Sequence, residues 1–485
     1  MPQHTDAILE IFETINSIPR CSKNEQALAA WLMAWAAQRD LSYRCDAAGN
    51  LVIQVPAGPG AENAPLAVLQ GHMDMVCEKT PESSHDFTRD PIRSHRSGDW
   101  LKAQGTTLGA DNGIALALAL HLVDDRELKR PALELLFTVD EESGLSGASR
   151  LDPDLIRGRI LINIDSEDEG VFTIGCAGGE ETQVSLDLER ETMPGDLAAG
   201  FFRVGGLRGG HSGVDIAKRR ANANGLLGRL LARALERFDV RLVSLAGGSA
   251  HNAIPRDAQA LVAVPVSDFA ALEALADATQ ALFRREYGPA DPDIQVTFAR
   301  SAASTQAPLT AAATTRVADL LLALPHGVAG MSLEVEGLVE TSCNLAILAT
   351  DGETLKITSS QRSSSESRLD EMTARVTAVA RLAGGRVARL NRYPAWQPEP
   401  ASRLLARCQS VYRRVAGREP VVEIIHAGLE CGLIGAKAPG MEMISIGPTL
   451  RNPHSPDEAL HIPSVGRVRD FLAALLQDLA NQAVD

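Results

Sequence analysis

The sequence predicts an α/β fold, with a mostly parallel sheet sandwiched by helices and an α+β domain inserted into it. Three features of the 485 residues point there. From Lys23 to about Gly175, helical segments alternate with short apolar runs: KNEQALAAWLMAWAAQRD, PLAVLQ, GIALALALHLVDD, ALELLFTVD and RILINID. After about Glu180 the character of the chain changes. After Pro394 the alternation returns, with strand VVEII, a glycine-containing turn HAGLECG and strand EMISIGP. The expected division is one discontinuous domain over 1–182 and 394–485, and an inserted domain over 183–393.

The elements follow from periodicity. At the start of the chain, Ile8, Ile11, Phe12 and Ile15 recur at helical spacing. In the insertion the order reads as strand FFRVGGLR, a helix near Ile216 to Phe238, strands RLVSLAGG and AQALVAVPV, helix DFAALEALADATQALFRREY and strand DIQVTFAR. A helix, strands LVETSCNLAILAT and TLKITSSQ, another helix and strand RVARLNRY follow. The second half repeats most of the first half's order, so the insertion contains a pseudo-repeat. In the helix beginning near Glu366, Leu369, Met372, Val376 and Val379 form the apolar stripe, with Arg368, Glu371 and Arg375 on the other side.

A formal net charge of -15 excludes nucleic acid and anionic membrane as main partners, because both need a basic field. No apolar run reaches the roughly 18 residues of a membrane span. The N-terminus lacks a basic region followed by an apolar one, so no secretory leader is expected. Seven scattered cysteines without a C-x-x-C pair suggest neither a disulfide framework nor a zinc knuckle, and Cys77 reads as an inert thiol. The cytoplasm is the expected location.

Acid and histidine clusters share one placement. PLAVLQ ends in GHMD, ALELLFTV in DEE and RILINI in DSE, while EMISIGP leads into RNPHSPDE. Each stands at the carboxyl end of an expected strand, where open α/β sheets place their ligand crevice. A fifth, GADNGI, sets Asp111 just before a helix. Taken singly, Asp111 is a helix cap, SEDE at Ser166 to Glu169 a solvated face, and Glu141 with Glu142 ordinary surface acids. Five loops converging on one sheet edge argue for more.

Two histidines and three carboxylates suit zinc, manganese or cobalt, and one bridging carboxylate lets five ligands serve two ions. Asp111 is the bridging candidate, because Gly109 and Gly113 beside it permit close approach. Strand parity sends His72 and Asp74 the same way, so that Asp74 can accept the second ring N–H of His72. Parity also makes Glu141 and Glu142 diverge, one towards metal and one towards the attacking water as general base, without deciding which is which. There is no G-x-S-x-G elbow, Walker A loop or G-x-G-x-x-G after a strand.

Together GHMDMV, TLGADNGI, DEESG, INIDSEDEG, GCAGG, GGHSGVDI, HNAIPR, HAGLECGL and GPTLRNPHSPDE resemble the aminoacyl-histidine dipeptidases. These are also called cytosol nonspecific dipeptidases, Xaa-His dipeptidases or peptidase D, and belong to the two-zinc exopeptidases related to aminoacylase. The resemblance runs from the N-terminal helices to the last strand. It implies a zinc exopeptidase-like catalytic domain with an inserted lid, two Zn2+ per chain, and Co2+ or Mn2+ as substitutes. His72 and Asp165 would hold one ion, Glu142 and His454 the other, and Asp111 would bridge them. Glu141 would be the general base and Asp74 the orienter of His72, and the bond between Asp111 and Asn112 would be cis. From the lid, His211 would face the scissile carbonyl and Asn252 the substrate, while Arg362, or alternatively Arg256, would bind the substrate carboxylate.

The implied activity is hydrolysis of unblocked dipeptides with broad specificity, Xaa-His dipeptides included. The rivals are an N-acyl amino acid deacylase of the same superfamily and a non-catalytic metal-binding protein that kept the fold. Relatives often pair as homodimers, whereas the pseudo-repeat would let one chain supply contacts that a partner provides elsewhere.

Overall fold

In the computed structural model of the chain, the described residues are 2–481 apart from 193, 194, 196, 302–305, 334 and 336. They divide into two compact units. The first holds Met1–Cys176, Trp396–Ile424 and Leu429–Asp485, and the second Ala177–Ala395 and Ile425–Gly428.

The first unit is built on an eight-stranded sheet. Its centre runs Leu133–Thr138, Ala67–His72, Ile160–Asn163 and Glu442–Ser445, all parallel. Antiparallel strands flank it, Leu51–Val55 and Ser42–Cys45 on one side and Val171–Cys176 on the other, and Val421–Ile425 is the outermost strand beyond Val171–Cys176. Crossover helices cover both faces of a parallel sheet, so its inner strands are buried. Every residue of Ala67–His72 and of Leu133–Thr138 is buried. The helix Ala110–Asp124 is apolar all round and buried from Ile114 to Val123, as a helix enclosed by other elements must be. The N-terminal helix Pro2–Asn16 packs on it through Ile8, Phe12 and Ile15, each fully buried, as the helical spacing predicts. The C-terminal helix Ile462–Ala480 closes the same layer.

A second, four-stranded sheet in this unit joins Ser94–Ser97 and Trp100–Ala103 to Leu450–Arg451 and Ala459–His461. The sequence expectation for His454 changes accordingly. His454 does not end the strand Glu442–Ser445 but lies in the loop between Leu450–Arg451 and Ala459–His461. The run SEDE is also more than a solvated face. Glu169 accepts the Tyr412 hydroxyl at 2.7 Å and pairs with Arg467 at 3.0 Å.

The expectation of unpaired thiols is corrected outright: Cys21 and Cys77 form a disulfide. Residues 20–22 run alongside the chain leaving the strand Ala67–His72, an adjacency that spacing in the sequence does not reveal.

The second unit holds an antiparallel sheet of nine strands. Its order is Gln295–Arg300, Leu197–Gly205, Ala258–Pro265, Arg241–Gly247, Val339–Asp351, Thr354–Ser363, Gly178–Asp187 and Arg386–Tyr393, with Gly327–Met331 beside Val339–Asp351. Read outward from the centre, the halves mirror each other. The first strand of the second half is Gly178–Asp187, which precedes the first half in the chain. A boundary at 182/183 would cut that strand, and the units instead meet at Cys176/Ala177. HAGLECG is likewise divided: 425–428 join the second unit, and the helix Glu430–Lys437 belongs to the first. Leu369, Met372 and Val376 of the helix Glu366–Leu382 are core residues, as its stripe predicts. Among the described residues, no helix is long and apolar enough to cross a membrane.

Candidate active site

In the first unit the chain exits of three parallel strands converge. His72 ends Ala67–His72, Glu141 and Glu142 follow Leu133–Thr138, and Asp165 follows Ile160–Asn163. Asp111 enters at the start of the helix Ala110–Asp124, and His454 comes from the small sheet's loop. Asp111 faces both histidines with different oxygens. Its Oδ1 lies 3.1 Å from His72 Nε2 and its Oδ2 3.2 Å from His454 Nε2. Asp165 Oδ1 is 3.5 Å from His72 Nε2, and Glu142 Oε2 is 3.0 Å from His454 Nε2.

Three sets of ligand atoms, His72–Asp111–Asp165, Asp111–Glu142–His454 and His72–Glu141–Glu142, each lie within 4.8 Å of one another. The donors are nitrogen and oxygen, the chemistry of a zinc or manganese site. Among the described residues, Glu142 Oε1 is buried without a hydrogen-bond partner, as a metal-ligating atom would be. The residues therefore fit divalent metal.

The surroundings fix each group. His72 Nδ1 is 3.3 Å from Asp74 Oδ1 and 3.1 Å from the Asp74 carbonyl, which leaves Nε2 for Asp111 and Asp165. Asp74 accepts the N–H groups of Glu141 and Glu142 at 3.0 and 3.2 Å and the Ser22 hydroxyl at 2.7 Å. One carboxylate thus orients a histidine and the loop of both glutamates. Burial would raise Asp74, but His72 and these donors hold it at about 2. Burial pushes Glu142 up to about 7, with Asp111 adding to it, and raises Glu141 well above the usual carboxylate range. Burial alone would lower both histidines. The carboxylates around them win, raising His72 and taking His454 to about 11.

Gly109 and Gly113 do allow close approach. A Cβ at Gly109, whose φ is +70°, would lie 2.5 Å from Arg20 Nη2, and one at Gly113 2.6 Å from it. The Asp111–Asn112 bond is cis.

Several supporting residues escaped the sequence reading. Arg20 is 1% exposed and donates to the carbonyls of Met73, Asp74 and Gly109, placing a buried cation behind the acidic cluster. Burial lowers it to about 10, opposed by Glu458 and Asp74. Glu458 accepts the N–H groups of Leu108, Gly109, Ala110 and Asp111 at 2.7–3.2 Å, which seats Asp111 at a helix start. Two of these donors, Leu108 and Gly109, precede the helix, and Asp111 itself departs from helical geometry, so no local pattern marks an acceptor that lies almost 350 residues away in sequence. Glu458→Ala is expected to cost about 3 kcal/mol or more, because several buried N–H groups lose their acceptor at once. Urea denaturation measures it, and a loss under about 0.5 kcal/mol, the range of ordinary surface changes, would refute the role.

Glu430, fully buried, accepts from Gln70 Nε2 and Thr138 Oγ1, both at 2.6 Å, and Gln70 accepts from Asn163 Nδ2 at 2.6 Å. This polar row crosses three strands just before His72, Glu141 and Asp165.

In the second unit, His211 ends the two-residue strand Gly210–His211 and pairs with Ala253, next to the exposed Asn252. His211 Nδ1 accepts the N–H groups of Gly213 and Val214 at 3.3 and 3.1 Å, so the neutral ring carries its proton on Nε2. Arg362 is 7% exposed and donates to the Tyr393 hydroxyl at 2.6 Å, while its buried Nε has no partner among the described residues. His426, which the sequence reading passed over, meets Ser342 Oγ at 2.7 Å. Burial lowers it to about 3, with the Arg362 guanidinium adding to the shift, so the His426 ring stays neutral. Arg256 is exposed and packs over Gly209.

The chain matches the profile described as Peptidase family M20/M25/M40 over residues 68–478. It is 39% identical over 470 residues to "Cytosol non-specific dipeptidase" of Escherichia coli (strain K12), covering 97% of both chains. It is similar to the crystal structure of aminoacylhistidine dipeptidase from Vibrio alginolyticus, with 40% identity, a TM-score of 0.84 and coverage of 97% of this chain and 96% of that one. Human carnosine dipeptidase 1 shares the fold at 12% identity and a TM-score of 0.55, over 99% of this chain and 98% of that one. The chain belongs to peptidase family M20/M25/M40.

Proposed function

We propose that the chain is a cytoplasmic dipeptidase that holds two zinc ions and hydrolyses unblocked dipeptides, Xaa-His dipeptides included. The observation that carries this is Asp111, whose two oxygens face His72 and His454 separately, with Glu141 beside them. The family and the names of the relatives in Escherichia coli and Vibrio alginolyticus support the substrate class.

His72 and Asp165 would hold one ion, Glu142 and His454 the other, with Asp111 shared. Bound divalent ions there supply Lewis acidity, which polarises a carbonyl and eases deprotonation of water. Glu141 takes a proton from the water that attacks the carbonyl carbon. When the C–N bond breaks, Glu141 returns that proton to the leaving nitrogen. His211 donates its Nε2–H to the carbonyl oxygen as negative charge builds there. Asn252 contacts the substrate, and Arg362 pairs with its carboxylate, with Arg256 as the alternative.

A panel of free dipeptides set against N-acetyl amino acids tests the reading. Hydrolysis of the dipeptides is expected, and a preference for the N-acetyl compounds would make the chain a deacylase instead.

A further inference from the structure

The Cys21–Cys77 disulfide lies beside the group that orients His72. It joins residues 56 apart, with Cα atoms 5.8 Å from each other. On one side of it, the Ser22 hydroxyl donates to Asp74 Oδ2 at 2.7 Å, and Arg20 Nη1 donates to the Asp74 carbonyl at 3.1 Å. The Met75 N–H returns a hydrogen bond to the Arg20 carbonyl at 3.2 Å, and Cys21 pairs with Met75 as an isolated bridge. Residues 20–22 and 73–77 are therefore two strips of chain held together by a few hydrogen bonds and one covalent link. Asp74 lies between that link and the loop of Glu141 and Glu142. Both cysteines are partly exposed, unlike the buried Cys176, Cys343, Cys408 and Cys431.

We propose that Cys21–Cys77 is an exchange site for low-molecular-weight thiols, and that its oxidation state sets how firmly Asp74 holds His72. The second half of this rests on the metal-site reading above; the first half does not. In the exchange a thiolate attacks one sulfur, the S–S bond breaks, and the departing cysteine thiolate takes up a proton. A second thiol then attacks the mixed disulfide, releasing a small-molecule disulfide and leaving both cysteines as thiols. Two electrons pass from two thiols to the protein. Afterwards the strips keep their hydrogen bonds but lose the link, so Ser22 and Arg20 grip Asp74 less tightly and the His72 ring is less well fixed.

The full-length protein, denatured without reductant and alkylated, is expected to carry label on Cys45, Cys176, Cys343, Cys408 and Cys431 only. After reduction, all seven cysteines should be labelled. Incubation with reduced glutathione should yield a glutathione adduct on Cys21 or Cys77 by peptide mass analysis. Zinc-loaded protein is then followed for metal release to a chromogenic chelator across graded ratios of reduced to oxidised glutathione. Release should be about three- to tenfold faster at the reduced end, a fraction of the loss seen when such a partner is removed. A Cys21→Ser, Cys77→Ser double variant should show the faster rate at every ratio. Label on all seven cysteines without reduction would overturn the exchange site. A glutathione response equal in wild type and double variant would overturn the link to Asp74. Normal exchange in a protein that binds no zinc would overturn the metal-site reading, and the link to His72 with it.

Discussion

A Glu141→Gln protein is expected to keep both metal ions and to hydrolyse dipeptides about 10²- to 10⁴-fold more slowly, the usual worth of a general base. The amide is the same size as the carboxylate but cannot accept a proton at neutral pH. The substitution leaves the Glu141 N–H on Asp74 in place, so the loop and His72 stay fixed. Glu142→Gln is the contrast. Glu142 lies 3.0 Å from His454 Nε2 and has a buried oxygen with no hydrogen-bond partner among the described residues, so its variant should lose metal as well as turnover. Turnover numbers measured alongside metal content by atomic emission separate the two. Near-normal turnover in Glu141→Gln would move the base elsewhere.

Asp111→Ala is expected to abolish binding of both ions, not one, with activity falling to the limit of detection. No other side chain of the cluster has one oxygen within 3.1 Å of His72 and another within 3.2 Å of His454. The fold should persist, because Glu458 grips the backbone N–H of residue 111 and not its side chain. Far-ultraviolet circular dichroism would then match the wild type while metal analysis reads zero. Retention of one tightly held ion per chain would show that Asp111 serves a single metal.

The placement of the site was legible in the sequence because three of its loops follow apolar runs that are parallel strands. PLAVLQ, ALELLFTV and RILINI each end in ionisable residues, and those strand exits converge in the fold. Parity brought Asp74 to His72, and the 3.3 Å contact between them agrees with it. Parity could not separate Glu141 from Glu142, which only the resemblance did. What stayed hidden are partners far apart in the chain. Glu458 beneath residues 108–111, Arg20 beneath Gly109 and Glu430 between Gln70 and Thr138 are acids and bases without a local pattern. Their meaning comes from what they touch.

The same reason explains the corrections. Cys21 and Cys77 looked unpaired because nothing in their spacing shows that residues 20–22 lie along 73–77. Read from the sequence, His454 follows the exit of Glu442–Ser445 only because the short strands Leu450–Arg451 and Ala459–His461 are too brief to show a period. Gly178–Asp187 alternates between buried and half-buried residues over most of its length, yet it completes a pseudo-repeat whose other members lie more than 100 residues later. The local pattern was present, but its partner strands were not in view.

The most direct measurement is a zinc titration of chelator-stripped protein during hydrolysis of a histidine-containing dipeptide. Hydrolysis is expected to be absent without metal, to rise on addition, and to level off when about two ions are bound per chain, as a dinuclear site requires. Undiminished hydrolysis by the stripped protein, or a protein loaded with two ions that leaves every free dipeptide intact, would contradict it.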